Sequence, residues 1–251
     1  MARMARKKSE SGIYHIMIRG INKQMIFQDD EDYKTFLGVL KECKKKSGFS
    51  LYAYCLMDNH IHLLIRENGE GISTIMKRIG CKFVYWYNMK YERVGHLFQD
   101  RFRSEPVESD EYFLTVLRYI HQNPVKANLV KECGEYPYSS YKLYFIDSIL
   151  IDKDYTLSMI SLNQYRDMHK KQETSVCLDI EESDTKMNDN KAQLLFESIS
   201  GCKSKEEIQE QTKQDRKQII IQLRKAGLSI RQISQVSGLA RGRVERIIYK
   251  K

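Results

Sequence analysis

Apolar and polar positions repeat along this chain with two different periods, and the order of those periods predicts an architecture. "GIYHIMIRGI" (12–21) has the composition of a strand. "DDEDYKTFLGVLKECKKKSGF" (29–49) opens on acids, repeats apolar residues every three and four positions and closes on lysines and a glycine, which predicts a capped helix. "SLYAYCLM" and "HIHLLI" read as two strands joined by a turn at Asp58 and Asn59. Helical spacing returns over 71–91, and "FQDRFRSEPVE" (98–108) predicts a further strand in which Pro106 marks an edge or an end. The order is βαββαβ. It predicts a ferredoxin-like α+β fold, an antiparallel sheet with two helices on one face.

Beyond the sheet, "DEYFLTVLRYIHQ" (110–122) predicts a third helix, interrupted at Asn123-Pro124 because proline disfavours helical geometry in the residue before it. The chain is expected to bend there. The aromatic stretch "YPYSSYKLYF" (136–145) is expected to cover a sheet edge. From 146 the character changes: residues 146–190 hold five Lys or Arg against ten Asp or Glu, and this low-apolar stretch reads as an acidic, partly disordered linker. A helical module follows over 191–251, so the expected division is 1–145, 146–190 and 191–251. In its last part, helix, glycine, helix, glycine, helix, the apolar positions Ile219, Leu223, Ile230, Ile233, Val236, Leu239, Val244 and Ile247 fall at helical spacing, with Gly238 where a tight turn needs positive φ. That pattern resembles a small all-α helix-turn-helix. It would present Arg241, Arg243 and Arg246 to duplex DNA.

Charge sharpens the choice of partner. The formal net charge is +9, and 216–251 alone holds ten basic residues against one acid, so polyanions, above all nucleic acid, are the expected ligands. The basic start "MARMARKKSES" has no apolar stretch behind it and no run of eighteen apolar residues occurs, so neither export nor a bilayer is expected. The six cysteines form no C-x-x-C pair and read as reduced thiols of a cytoplasmic protein.

The candidate chemistry starts at "NHIHLLI". Side chains at i and i+2 of a strand share a face, so His60 and His62 stand where they can share one ion, with Ile61 and Leu63 turned to the core. A half-buried sheet that merely contains two histidines satisfies the same pattern. In "LRYIHQNPVKANLV" (117–130) Tyr119 and Asn123, four apart, share one helix face. A packed tyrosine ring and an Asn-Pro helix start explain those two residues equally well.

Taken together, "YHIMIRG" (14–20), "MDNHIHLLI" (57–65), "GHLFQDRF" (95–102) and "RYIHQNPVKANLV" (118–130) resemble, in order and spacing across about 12–145, the REP-associated tyrosine transposase branch of the single-tyrosine HUH transposases. Asp58 stands where many members of that branch have proline. The resemblance implies the HUH transposase fold, His60, His62 and Asn123 as ligands of a divalent metal, Mg or Mn, and Tyr119 as nucleophile. It implies nicking and strand transfer through a 5′-phosphotyrosine, on single-stranded DNA beside a hairpin, by a monomer or a homodimer. Arg19, Lys82, Arg101, Arg103 and Arg118 are the candidate backbone contacts, with Gln99 and the basic 6–8 beside them, and His15 and His121 are candidates for supporting roles near the site. The competing reading is a DNA-binding regulator built on a silent scaffold. A metallohydrolase using water is disfavoured, since neither motif supplies an acid at a useful spacing apart from Asp58.

Overall fold

In the computed structural model, residues 6–171, 177–178, 189–202, 207–208, 211–228 and 230–249 are described, and they fall into two compact units, 1–179 and 180–251. The first unit holds β1 (Ile13–Arg19), α1 (Asp30–Ser47), β2 (Ser50–Met57), β3 (His60–Arg66), α2 (Ile72–Lys90), β4 (Arg103–Pro106), α3 (Asp110–Lys126), α4 (Lys153–Met159) and α5 (Leu162–Lys170). The strands form one antiparallel sheet in the order β2-β3-β1-β4, as a βαββαβ chain with two crossing helices requires.

Local chemistry sets the helix limits. Asp29 caps α1 by accepting from the backbone N–H of Glu31 and Asp32, the Asp32 carboxylate accepts from the Asp29 N–H, and Gly48 closes the helix at φ 67. Tyr33, Phe36, Leu40 and Cys43 of α1 are buried, as are Ile75, Ile79 and Phe83 of α2. The rings of Phe36 and Phe83 meet edge to face at 5.0 Å. The two helices thus cover the sheet face that carries Ile16, Ile18, Ile61 and Leu63.

Four expectations change or gain detail. First, α3 is not interrupted at Asn123-Pro124 but continues to Lys126. Pro124 removes only the bond its own N–H would have made to the carbonyl of residue 120, the next bonds (Ala127 N–H to Asn123 O, 2.9 Å) are intact, and burial of the proline outweighs the loss. Second, β4 is shorter than the run 98–108: its ladder with β1 covers Arg103–Pro106, and Phe98 makes an isolated bridge to Gly20. Third, the aromatic stretch covers a sheet edge as expected, and the detail gained is that 136–140 does so on β2 as an added backbone partner, with Leu56 N–H donating to Tyr138 O (2.9 Å) and Ser140 N–H to Tyr54 O (3.0 Å).

The fourth change concerns the supposed linker. Residues 146–171 are folded into the first unit: Ile151, Thr156, Tyr165 and His169 are buried, Tyr165 stacks on Tyr144 at 4.3 Å, and Gln122 donates to the carbonyls of His169 (2.8 Å) and Lys171 (2.6 Å). Asp147, Asp154 and Asp167 are exposed, and Asp152 accepts from the Leu51 N–H and pairs with Lys44, so average composition hid a docked helix pair. Most of the acidic run "LDIEESDTKMNDN" lies outside the described residues.

The second unit holds α6 (Asp189–Ser200), α7 (Lys213–Lys225), α8 (Ile230–Ser237) and α9 (Arg241–Tyr249) around Phe196, Ile220, Leu223, Ile233 and Val244. Gly238 turns α8 into α9 at φ 68, the conformation its lack of a Cβ permits. Arg241, Arg243 and Arg246 are exposed along α9. Among the described residues no helix is long and apolar enough to cross a membrane.

Candidate functional site

The face of the sheet turned away from α1 and α2 carries the histidines. In the β1–β3 register His60 lies opposite Arg19, and His62 opposite Met17, so all four side chains share that face, as does His15 two residues before Met17. The rings of His60 and His62 stand 5.1 Å apart and nearly perpendicular. His15 reaches across the strand pair: its Nε2 lies 3.0 Å from Nδ1 of His62. His60 Nδ1 contacts Asn59 Oδ1 at 2.6 Å.

Helix α3 closes over this face. Early in the helix Phe113 packs on Tyr52 of β2, and six residues later the Tyr119 ring lies edge-on to His62 (5.7 Å) and His15 (5.8 Å). The helix therefore runs toward the β2–β3 hairpin, and the next turn carries Asn123 from Tyr119 toward the row of His60. Asn123 donates through Nδ2 to the carbonyl of Tyr119 (2.9 Å), which directs Oδ1 away from that carbonyl. One turn further, Lys126 sets its ammonium 4.2 Å from the Tyr119 ring centroid.

Burial gives the site its electrostatics. His15 and His62 are fully buried and Tyr119 is 2% exposed, while His60 is half-buried at the hairpin end. Desolvation holds His15 neutral, its pKa lowered to about 3, and pushes His62 well below the ordinary histidine value, with His60 and His15 adding to the effect. Neutral imidazoles are what a metal needs. The Nε2 of His62 is buried with no hydrogen-bonding partner among the described residues, the kind of unmet valence an ion satisfies. Among the described residues no group of three His, Cys, Asp or Glu is placed to hold a metal. The Asn123 amide is the oxygen donor that α3 carries toward the two histidines.

The family model described as "Transposase IS200 like" matches residues 8–123, which span β1 to the Asn123 turn of α3. Over these residues the first unit resembles the IS200-like transposases. A Haemophilus influenzae protein assigned to the REP-associated tyrosine transposases is 24% identical over 152 residues, 56% of this chain and 86% of the relative. The Escherichia coli REP-associated tyrosine transposase is 20% identical over 136 residues, covering 53% of this chain and 78% of its own length. Among solved structures, a REP-associated tyrosine transposase bound to a REP hairpin superposes with a TM-score of 0.51 at 17% identity, covering 61% of this chain and 94% of that one, which supports the fold. The match stops before the second unit.

The first unit brings some of the expected DNA contacts to the site and not others. Arg19 stands beside His60 and donates to Gln99 Oε1 (2.9 Å), and Arg103 is exposed opposite Met17 on the histidine face. Arg101 is placed elsewhere: with Gln99, Phe98 and Phe102 it lines a cavity of about 640 Å³ whose other wall is Lys77, Gly80 and Val84 of α2, and there Arg6 stacks its guanidinium 3.8 Å from the Phe102 ring. Arg118 is turned instead toward α5, beside Gln164 and Asp167. Lys82 lies on α2, on the opposite side of the sheet, ion-paired with Glu42. His121 also misses the site: it points away from Tyr119 into a separate cluster with His169 and Ser140.

Sequence reasoning missed Lys126 and Glu105. Lys126 follows Tyr119 by seven residues, two helical turns, and becomes visible once α3 is allowed to pass Pro124. Glu105 sits opposite His15 in the β1–β4 register, which no sequence spacing encodes.

Proposed function

We propose that the first unit is a metal-dependent nickase and strand transferase acting on single-stranded DNA that carries a hairpin. The observation that supports it best is the meeting of Tyr119, His62 and His60 on one sheet face of a family-matched fold, with a buried imidazole nitrogen lacking a partner. His60, His62 and Asn123 would hold a divalent ion, Mg or Mn. When bound, that ion neutralises charge on the scissile phosphate.

The chain supplies the rest. The Tyr119 hydroxyl attacks phosphorus in line, the new O–P bond retains the 5′ phosphate on the protein, and the P–O3′ bond breaks to leave a 3′-OH. The phenol proton leaves as the 3′ oxygen gains one. Because the phosphotyrosine conserves the phosphodiester bond, a second 3′-OH reverses the step and joins strands without a nucleotide cofactor. Lys126 adds a positive charge beside the phenol. Arg19 and Arg103 lead an unpaired strand along the histidine face. The solved transposase of similar fold is bound to a REP hairpin, which makes a hairpin the substrate of choice for this chain. In the second unit, Arg241, Arg243 and Arg246 of α9 give a duplex-binding helix-turn-helix.

The test is covalent capture. Purified protein incubated with Mn and a labelled hairpin oligonucleotide library is expected to yield a protein–DNA adduct on a denaturing gel, absent with Tyr119→Phe. Tight duplex binding with no adduct from any sequence would favour a regulator on a silent scaffold.

A further inference from the structure

The two ring nitrogens of His62 are in different situations, and the difference propagates through His15 to the sheet edge. Nε2 is buried without a hydrogen-bonding partner among the described residues, while Nδ1 lies 3.0 Å from His15 Nε2. A neutral imidazole has one protonated nitrogen and one lone pair. For Nε2 of His62 to ligate, its proton must sit on Nδ1 and be donated to His15 Nε2. That nitrogen must then be the acceptor, so the proton of His15 is on its own Nδ1. His15 Nδ1 has no hydrogen bond but lies 4.0 Å from the Glu105 carboxylate, on the strand residue directly opposite. The carboxylate is about one-third exposed and also accepts from the Leu178 N–H at 3.1 Å, so it is already turned inward.

We infer that Glu105 and His15 are positioning residues, a carboxylate–histidine–histidine chain that fixes the tautomer of His62 so that its Nε2 faces the metal. The inference rests on the metal-dependent reading of the site and adds to it why a second, non-ligating histidine is buried there. A carboxylate biases the His15 proton to Nδ1, His15 Nε2 then accepts from His62, and His62 is left with its lone pair on the one nitrogen that nothing else occupies. The ring is held in plane and raised in basicity as a ligand. Glu105 comes from β4 and His15 from β1, so the short β4 ladder has a purpose in the site: it sets this register.

The measurement is Mn binding by the full-length protein, counted from the electron paramagnetic resonance signal of free Mn, with folding followed by thermal melting. Loss of the acceptor in His15→Leu is expected to weaken binding about 10–100-fold. His15→Gln, whose Oε1 reaches as far as the histidine Nε2, is expected to hold affinity within a few-fold of wild type, whereas the shorter His15→Asn fails like Leu. Glu105→Ala, at the sheet edge, is expected to weaken binding by a smaller factor, and it decides the matter if the His15→Leu protein does not melt cooperatively. Wild-type affinity in a folded His15→Leu, or in Glu105→Ala, or a Gln variant as weak as Asn, would overturn the chain. If the wild-type protein binds no Mn, the metal reading itself fails, an outcome distinct from a bound ion that ignores His15.

Discussion

Helix α3 buries histidines against two of its sides, and the two clusters differ in completeness. On the sheet side, His62 uses Nδ1 toward His15 and leaves Nε2 without a hydrogen-bonding partner. On the α5 side, His121 uses both nitrogens, Nδ1 to His169 Nε2 (3.0 Å) and Nε2 to Ser140 Oγ (2.7 Å), and His169 closes the set with Nδ1 to Tyr165 O (2.7 Å). Both clusters are buried, neutral and aromatic-walled. Burial and lowered basicity therefore do not separate a reactive histidine from a structural one. The separating feature is an unfilled valence in a site that the fold has already made costly to leave unfilled.

Leucine at each centre should break that comparison with the largest effect. His62→Leu is expected to abolish the covalent DNA adduct, because it removes a proposed metal ligand, and to orphan one buried nitrogen, that of His15. His121→Leu orphans the buried Nε2 of His169, at about 1–3 kcal/mol, while Ser140 Oγ keeps the Tyr54 N–H and carbonyl, and it should leave adduct formation intact in the molecules that remain folded. Gel capture and denaturant titration of both variants read the two losses separately. An adduct retained by His62→Leu, or lost by a folded His121→Leu, would reverse the assignment of roles.

Acid should expose the structural cluster next. Burial lowers the pKa of His169 to about 4 and that of His121 well below the ordinary value. The unfolded chain takes up these protons near 6.5. The neutral forms therefore contribute stability in full above about pH 6.5, and the contribution is lost as pH falls toward 4, by up to about 1.4 kcal/mol per unit for each histidine. The melting temperature is expected to drop across that window, and His169→Gln should flatten the drop. An identical slope in the variant would mean that other groups carry it.

A smaller effect sharpens the reactive side. Lys126→Met removes the ammonium over the Tyr119 ring and is expected to slow adduct formation about fivefold, corresponding to ~1 kcal/mol of charge stabilisation at a partly exposed site, with Lys126→Arg restoring most of the rate. Equal rates in the Met variant would make the lysine a bystander.

Sequence periodicity recovered what depends on near neighbours. The capped α1, the helix α2, the β2–β3 hairpin and the shared face of His60 and His62 follow from spacings of two, three and four, and Gly238 from the need for positive φ. Readings that required one principle to defeat another came out differently. Pro124 was read as a helix end, but buried packing around Tyr119 and Asn123 overrides it and carries Lys126 into the site. The acidic stretch after 146 was read by its average, while four buried side chains, Ile151, Thr156, Tyr165 and His169, anchor α4 and α5. Glu105 was out of reach altogether, since its pairing with His15 is a property of strand register.

The smallest expected effect comes from two cations on opposite faces of one sheet. Arg19 lies on the histidine face opposite His60, and Lys82 lies on α2 behind the other face, paired with Glu42. If an unpaired strand follows the histidines, neutralising one phosphate fewer in Arg19→Ala should lower the salt slope of single-strand binding by about 0.7. Lys82→Ala should leave that slope unchanged and, losing only a partly exposed ion pair, should alter stability by less than about 1 kcal/mol. Binding isotherms at several salt concentrations decide between them. Equal slopes for both variants would mean that the strand takes another path, with Arg103, opposite Met17 on the same histidine face, the next residue to alter.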